Sequence, residues 1–364
     1  MTDAVATPDL IPPTVPAPTL AETPGAGAPP PAVPTVEDAP PPERRRRYLL
    51  LLLLFGLLAL VIAFAIWYFI FRQPFQNIIP NLAFTTPPTY VSSTYGLSQP
   101  LGVAVNSDGS RIYVTQGGGD QATVLIDGAG NHLATLAPPV GVVARSTQLY
   151  VAINPKTGDV YATDRSAGAV FRYGDDGSYK DTFNPGAGIT VWQPLAITFD
   201  ADGTMYVSDA GGDYQRVHVF AADGTWLRDL GSAGLFAFAN GIGIDKAGNV
   251  YVSDSNNGRL IVFDKTGAEL GRIQRGAAEG DLGLPRGVAV DGDGRVYVVD
   301  STGQGVKLFR ALQQGETAPA FQVRFGTEGT VDGAFEFPNG VAVDGRGRVY
   351  ITDWNNNRLQ VWSY

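Results

Sequence analysis

The sequence predicts an all-β protein built as a propeller of six four-stranded antiparallel blades. One phrase recurs six times, and its alternation of apolar with small or polar residues is typical of half-buried strands. Glycine (45 residues) and proline (26 residues) are abundant, which suits short strands joined by tight turns. A repeat of this kind marks an architecture in which each unit covers the core of its neighbour. The copies begin at Leu101, Leu149, Leu195, Asn240, Arg286 and Asn339.

Each copy encodes two strands separated by a short polar step, which reads D-x-x-G in four copies, such as Asp344 to Gly347. This step predicts a tight turn, because an Asp side chain stabilises the turn and Gly supplies a positive φ. A third strand follows a short polar loop, as in RLIVF from Arg259, and a fourth follows it, as in TWLRDLG from Thr225. The strand-two tyrosines fall at positions 113, 161, 206, 251, 297 and 350, so successive copies are 45 to 53 residues apart. That length matches a four-stranded propeller blade.

The last copy supplies only three strands before Tyr364. The segment TYVSSTYG, residues 89–96, precedes the first copy just as the other fourth strands precede theirs. We therefore expect residues 90–364 to form the propeller, with the strand at 89–96 as the outermost strand of the last blade. Such closure leaves the sheets no long open edge.

The N-terminal quarter of the chain has a different composition. Residues 1–43 hold 13 of the 26 prolines and no Lys or Arg. This composition predicts a disordered tail over residues 1–47. The tail would serve as a spacer or bind an aromatic groove of a partner. Arg44 to Arg47 precede an uncharged apolar run from Tyr48 to Phe71. As a helix this run would be about 36 Å long, more than the ~30 Å hydrocarbon core of a bilayer. We expect a transmembrane helix at 48–71 and a stalk at 72–89.

Charge sets the expected orientation of that helix. Four arginines precede it and Arg72 alone follows closely, which predicts a cytoplasmic N-terminus and an extracytoplasmic propeller on the cell membrane. A cleaved signal peptide is the alternative. Its apolar core is normally about 7–15 residues long and ends at a small-x-small cleavage site, whereas this run is longer.

Composition also excludes several kinds of chemistry. The chain has no cysteine, so disulfides and thiolate chemistry are excluded. Its net charge of −9 gives no electrostatic support for a nucleic-acid partner. Two histidines, His132 and His218, leave few options for metal or acid–base chemistry. The oligomeric state is not indicated by the sequence.

Two phrases carry a family resemblance: PNGVAVDGRGRVYITDWNNNRLQVW from Pro338, and NGIGIDKAGNVYVSDSNNGRLIVF from Asn240. Both resemble NHL repeats, and the resemblance extends over residues 90–364 and implies a six-bladed propeller. The layout of tail, anchor and propeller is similar to the sensor half of some membrane-anchored bacterial receptor kinases, although no kinase motif occurs here. The propeller fold and the absence of catalytic residues such as a Ser-His-Asp triad favour a binding or scaffold module for a protein, glycan or small ligand, without catalysis of its own.

The candidate binding residues lie where the copies disagree. In a propeller the starts of the first strands and the ends of the second strands surround the channel on one face. The first-strand starts predict a mouth that is apolar at Leu101, Leu149 and Leu195 and polar at the other three blades. Loop aromatics such as Phe236 on this face are anchors for a partner or pack between blades. The ligand-binding candidates are Asn240, Arg286, Asn339, Gln116, Tyr214, Trp354 and Asn355.

The alternative to a binding module is a hydrolase that uses a divalent metal. The second strands end in Asp in five blades, and these carboxylates either hold a cation or cap the following loop. Pro338-Asn339-Gly340 followed by Asp353 resembles part of the pattern of gluconolactonase-type lactonases, which implies a metal-dependent hydrolase. Such enzymes need a Glu near the first blade, where this chain has Ser98-Gln99-Pro100. The candidate metal ligands are Asn339, Asp353, Asp254 and Asp300.

Overall fold

The computed structural model describes residues 42–67, 86–143, 146–212 and 215–364. The chain divides into two compact units, residues 1–68 and 69–364. In the first unit, helix α1 (Pro42–Trp67) is long and apolar enough to cross a membrane over Arg46–Ile66, a test that a signal sequence also passes. It begins before Tyr48, the predicted start. The predicted tail at 1–41, helix end at 68–71 and stalk at 72–85 lie outside the described residues.

The described part of the second unit contains six four-stranded antiparallel sheets, which confirms the predicted fold class. The first strands in chain order are β1 (Thr89–Tyr95), β2 (Pro100–Val105), β3 (Arg111–Gln116), β4 (Thr123–Asp127), β5 (His132–Leu136), β6 (Tyr150–Ile153), β7 (Val160–Asp164), β8 (Ala169–Tyr173) and β9 (Tyr179–Phe183). They are followed by β10 (Pro194–Phe199), β11 (Met205–Asp209), β12 (Arg216–Phe220), β13 (Trp226–Leu230), β14 (Ala239–Ile244), β15 (Val250–Asp254), β16 (Arg259–Phe263) and β17 (Glu269–Ile273). The last are β18 (Pro285–Val290), β19 (Arg295–Asp300), β20 (Gly305–Arg310), β21 (Ala320–Phe325), a short parallel pair β22 (Thr327–Glu328) and β23 (Ala334–Phe335), β24 (Pro338–Val343), β25 (Val349–Asp353) and β26 (Arg358–Ser363).

Blades 1 to 5 are the consecutive sheets that begin at β2, β6, β10, β14 and β18. Blade 6 has the strand order β1-β26-β25-β24, so its outermost strand comes from the N-terminal side of the repeats. Strand β1 pairs with β26 from Thr89 opposite Ser363 to Tyr95 opposite Arg358. The ring is thus held closed by main-chain hydrogen bonds between the two ends of the propeller.

The first strands of the six blades contact one another in a closed cycle and form the wall of the central channel. Glycine in the third position of four of these strands permits the close approach. A Cβ added at Gly241 would lie 2.2 Å from the carbonyl oxygen of Arg286, and one at Gly340 would lie 2.4 Å from that of Leu101. Any side chain at these positions would push two neighbouring blades apart.

The apolar core is divided among the blade interfaces. Six clusters of buried side chains occur in the described residues, one between each pair of neighbouring blades. At the interface of blades 6 and 1, for example, Tyr350 and Leu359 pack with Ile112 and Val114. Each blade therefore depends on its neighbour for burial, as the repeat predicted.

The predicted D-x-x-G turns are present. In blade 6 the amide of Gly347 donates to the carbonyl of Asp344 at 3.1 Å, and Gly347 has a φ of 78°. The Asp344 carboxylate accepts the amides of Arg346 and Arg348, both at 2.9 Å, and the strand-two hydroxyl of Tyr350 at 3.1 Å. The recurring Asp, Gly and Tyr thus build the scaffold of each blade.

Candidate binding site at the channel mouth

Side chains from three alternate blades meet in the channel. The hydroxyl of Tyr150, in blade 2, contacts the side-chain oxygen of Asn240 in blade 4 and lies 2.8 Å from that of Asn339 in blade 6. Asn240 is fully buried, whereas Tyr150 and Asn339 are half-buried. The tyrosine ring therefore crosses the channel that the six first strands enclose.

A phenol donates one hydrogen bond, so it cannot donate to both amide oxygens. The contact with Asn240 is the shorter one, which suits an O–H donor facing a carbonyl oxygen. A separation of 2.8 Å is also compatible with an amide N–H of Asn339 donating to the phenolic oxygen. In this arrangement the NH₂ group of Asn240 points away from Tyr150.

Two buried donor atoms of this cluster have no hydrogen-bond partner within the described parts of the chain: Nδ2 of Asn240 and Nε of Arg286. We name these two atoms the open donors. Arg286 is the second residue of the first strand of blade 5, beside the two asparagine blades, and its guanidinium lies close enough to act on the phenol. Burial raises the pKa of Tyr150 to about 12, and the positive charge of Arg286 opposes part of that rise. The phenol is therefore neutral at physiological pH.

The predicted division of the mouth into three apolar and three polar blades is wrong in blade 2, because Tyr150 brings a hydroxyl into the polar group. The signal was present in the repeats. Five copies have Gly or Ala where blade 2 has Tyr150, namely Gly102, Ala196, Gly241, Gly287 and Gly340. A Tyr at the position of closest approach directs its ring into the channel.

The strand-two ends form a second set of side chains on this face, and each is bonded within its own blade. The carboxylate of Asp353 accepts the amide of Glu336 at 2.7 Å and Nε of the fully buried Arg358 at 2.8 Å. Asp254 similarly accepts the amide of Ala237 at 2.7 Å and Nε of Arg259 at 2.7 Å. These carboxylates, which we name the clamps, hold the loop that enters the first strand of the same blade.

Gln116 and Asp300 follow the same pattern. The side-chain oxygen of Gln116 accepts the amide of Ser98 at 2.7 Å, so Gln116 acts as the clamp of blade 1 rather than as part of the mouth cluster. Asp300 accepts the amides of Leu284 and Gly283 at 2.9 and 3.0 Å. Burial opposes ionisation of Asp300, but these amides and the ammonium of Lys307 outweigh it and lower its pKa.

The candidate metal ligands are not brought together. Asp254, Asp300 and Asp353 belong to three different blades, and their oxygens face protein donors. The side-chain oxygen of Asn339 faces Tyr150. Over the described ranges, no group of three or more His, Asp or Glu side chains converges in a way that could hold a metal ion. This arrangement does not fit a divalent cation.

Hydroxyl groups one residue before the clamps join neighbouring blades. In blade 6 the Thr352 hydroxyl accepts the amide of Gly340 in its own first strand at 2.6 Å and donates to the carbonyl of Leu101 in blade 1 at 2.6 Å. Thr115 makes the same pair of bonds toward Leu149 in blade 2. These hydrogen bonds hold the channel wall rigid around the mouth cluster.

The remaining candidates lie in loops. Asn355 is exposed and donates its amide to the carbonyl of Glu336 at 3.1 Å, while Trp354 is half-buried. Neither reaches the mouth cluster through a hydrogen bond given by the described residues. Tyr214 lies outside those residues. Phe236 packs between blades, the second of the two roles expected for it, because it is only 6% exposed and belongs to the core between blades 3 and 4.

Comparison with solved structures supports the fold alone. A gluconolactonase from Xanthomonas campestris superposes with a TM-score of 0.58 at 16% identity, covering 76% of this chain and 95% of that protein. Virginiamycin B lyase from Staphylococcus aureus superposes with a TM-score of 0.52 at 15% identity, covering 75% and 99%.

Sequence comparison identifies the family. The NHL repeat model matches residues 236–263 and 335–362. NHL repeat-containing protein 3 is 28% identical in mouse and 29% in human, over 44% of this chain, which spans 49% of the length of each. Human NHL-repeat-containing protein 4 is 30% identical over 118 residues, 31% of this chain and 87% of that protein. The chain belongs to the family of NHL-repeat proteins.

Proposed function

We propose that this protein is a membrane-anchored recognition module whose channel mouth binds a carboxylate or carbonyl oxygen of a protein, glycan or small ligand. The module has no catalysis of its own. Its membership of the NHL-repeat family supports a binding or scaffold role, since NHL propellers commonly mediate protein interactions.

The observation that carries the proposal is the pair of open donors. A buried donor without an acceptor costs roughly 1–3 kcal/mol, so such groups are rare in a finished core. Here two of them lie in one cluster, Nδ2 of Asn240 and Nε of Arg286. An oxygen acceptor from a ligand would remove both costs, and the guanidinium would favour a negatively charged one.

The rigid surroundings support the same function. The Tyr150 hydroxyl contacts Asn240 and Asn339, and the clamps and hydroxyl bridges fix strands around the cluster. A site that is held in place before the ligand arrives loses little entropy on binding. The half-buried Arg286 and Asn339 also leave part of the cluster accessible from solvent.

Titration calorimetry on the full chain in detergent micelles tests this function, with acetate and an N-acetylated dipeptide as probes. We expect carboxylate binding that is weakened at least tenfold in Arg286→Gln, about 1.4 kcal/mol. Arg346→Gln is the matched control, because Arg346 is an exposed arginine in the turn between the first two strands of blade 6. Equal binding by the wild type and Arg286→Gln would refute the proposal.

The anchor and its orientation are a separate part of the proposal. Helix α1 supports a single membrane span, and the excess of arginines at its N-terminal side supports a cytoplasmic N-terminus. Protease treatment of intact cells should digest the propeller and spare a tag at residue 1. A protected propeller with a digested tag would reverse the orientation, and release of the propeller into the medium would indicate a cleaved signal.

No observation favours the hydrolase as a second function. At 16% identity the likeness to the gluconolactonase shows the fold alone. Asn339 and Asp353, which carried the sequence resemblance, face Tyr150 and Arg358 respectively.

A further inference from the structure

Blade 3 contains a cavity that lies apart from the channel. It has a volume of about 640 Å³, within the range of small-molecule sites. One wall comes from the outer strands of blade 3 and the other from residues 184–191, which follow the last strand of blade 2. Three glycines also line it, and a Cβ added at Gly186, Gly188 or Gly212 would meet no atom within 4 Å.

The polar wall is a cluster found in blade 3 alone. His218 lies between two carboxylates, with Nδ1 at 2.7 Å from Asp229 and Nε2 at 3.4 Å from Asp209. Asp229 also accepts Arg216 at 2.9 Å and the indole N–H of Trp226 at 3.0 Å. In the other blades the position of His218 is occupied by residues 124, 171, 261, 307 and 360, of which none is His.

Comparison with blade 4 shows which carboxylate oxygen in blade 3 lacks a strong hydrogen bond. There Arg259 bonds the Oδ2 atom of the clamp Asp254 at 2.7 Å, and Asn257 bonds it at 2.8 Å. In blade 3 the corresponding Arg216 bonds Asp229 instead. Within the described residues, Oδ2 of the clamp Asp209 has only the long contact with His218, although this side chain is 4% exposed. Hydrogen bonds from the protein therefore compensate little of the cost of burying this carboxylate oxygen, which lines the cavity.

The apolar wall presents a flat surface. Trp226 and Val191 line the cavity and are 49% and 51% exposed, respectively. An exposed fraction of 49% is high for a tryptophan side chain. The bond from the indole N–H to Asp229 fixes the orientation of the ring. An immobilised aromatic face beside polar groups is a ready contact surface for the apolar face of a ligand ring.

Charge indicates the kind of ligand. Asp209 and Asp229 disfavour an anion, while Arg216, whose ion pair with Asp229 spans 2.9 Å, disfavours a simple cation. The wall offers both acceptors and donors, and a hydroxyl group can serve both because it donates one hydrogen bond and accepts two. We propose that this cavity binds a neutral, hydroxyl-bearing ring, a single sugar residue, with one face on Trp226 and hydroxyls on Asp209 and His218.

Saturation-transfer NMR on the full chain tests this site, in micelles of a detergent without a sugar headgroup. The probes are the methyl glycosides of glucose, galactose, mannose and N-acetylglucosamine, with acetate and propylammonium as charged probes. We expect at least one glycoside to bind in the millimolar range, about tenfold more weakly in Trp226→Ala. Gly188→Leu should abolish binding, because its side chain would occupy the cavity and Gly188 lies outside the positive-φ region.

Two controls separate this site from the channel mouth. Leu227→Ala removes an equally exposed neighbour on the same strand that does not line the cavity, and it should bind like the wild type. Arg286→Gln should retain glycoside binding while it weakens carboxylate binding at the mouth. The inference is overturned if none of the four glycosides binds, if a charged probe binds more tightly, or if Trp226→Ala leaves glycoside binding unchanged.

Discussion

The clamps and the mouth cluster lie on the same face of the propeller and differ in how completely they are hydrogen-bonded. The clamps recur in every blade, and in blade 6 both oxygens of Asp353 are engaged by protein donors. The mouth cluster differs from blade to blade and contains the open donors, Nδ2 of Asn240 and Nε of Arg286. Positions that repeat maintain the ring, whereas positions that differ leave hydrogen-bonding capacity for a ligand.

Removing a clamp should have the largest effect on stability. In Asp353→Ala the guanidinium of Arg358, which is fully buried, loses its carboxylate partner. Breaking a buried ion pair in this way costs about 3–5 kcal/mol. Chemical denaturation of the purified chain measures the loss. Asp332→Ala is the control, because Asp332 pairs with the same arginine at 3.3 Å but is half exposed, and it should cost about 1 kcal/mol or less. Equal losses in the two variants would contradict the distinction.

Removing one bridging hydroxyl should have an intermediate effect. Thr352→Val keeps the shape of the side chain but leaves the amide of Gly340 and the carbonyl of Leu101 without their partner. We expect a loss of about 1–3 kcal/mol in the free energy of unfolding. Thr352→Ser retains the hydroxyl and should lose clearly less. If Val and Ser variants unfold alike, the hydroxyl does not join the blades.

Changes in the mouth cluster should affect binding rather than stability. Arg286→Gln removes an open donor and no hydrogen bond made by its side chain within the described chain. Its free energy of unfolding should therefore stay within about 1 kcal/mol of the wild type. Denaturation beside Asp353→Ala checks this, and a loss as large as that of the clamp variant would show that Arg286 belongs to the scaffold.

The smallest expected effect is a change in tyrosine titration. Because the pKa of Tyr150 is raised from 10.0 to about 12, the phenol favours the folded state below pH 10, and this contribution is lost as pH rises from 10 to 12. The difference in tyrosinate absorbance between the wild type and Tyr150→Phe should therefore appear near pH 12. A difference centred on pH 10 would place the phenol in water rather than in the channel.

The fold was predictable from sequence because the sequence pattern that encodes the scaffold repeats six times. The alternation of apolar and polar residues, the D-x-x-G turns and the spacing of the strand-two tyrosines each repeat. A copy with a weak pattern can therefore be interpreted from the others. The clamp role of the strand-two Asp residues was also foreseeable, since a residue needed in each blade is usually structural. Sequence patterns do not say which side chains meet across the channel, because blades 2, 4 and 6 are distant along the chain. Tyr150 was missed for that reason, although the deviation from Gly at its position marked it.

The cluster around His218 was missed for a related reason. The sequence places His218 on a third strand, away from the channel, and its two carboxylate partners are separated from it by the register of β11, β12 and β13. Only pairing across strands brings Asp209 and Asp229 to the same imidazole. A search for deviations among the third strands would have identified the histidine but not its partners.

The most direct test of the open donors is an NMR measurement of the Nε–H group of Arg286 in the isotope-labelled full chain, assigned by its loss in Arg286→Gln. In the free protein this proton should exchange with water faster than the Nε–H of Arg358, which is bonded to Asp353 at 2.8 Å. Adding acetate should shift the Arg286 resonance and slow its exchange, while the Arg358 resonance stays in place. A proton on Arg286 that is already protected in the free protein, and that acetate does not move, would contradict a ligand site at the channel mouth.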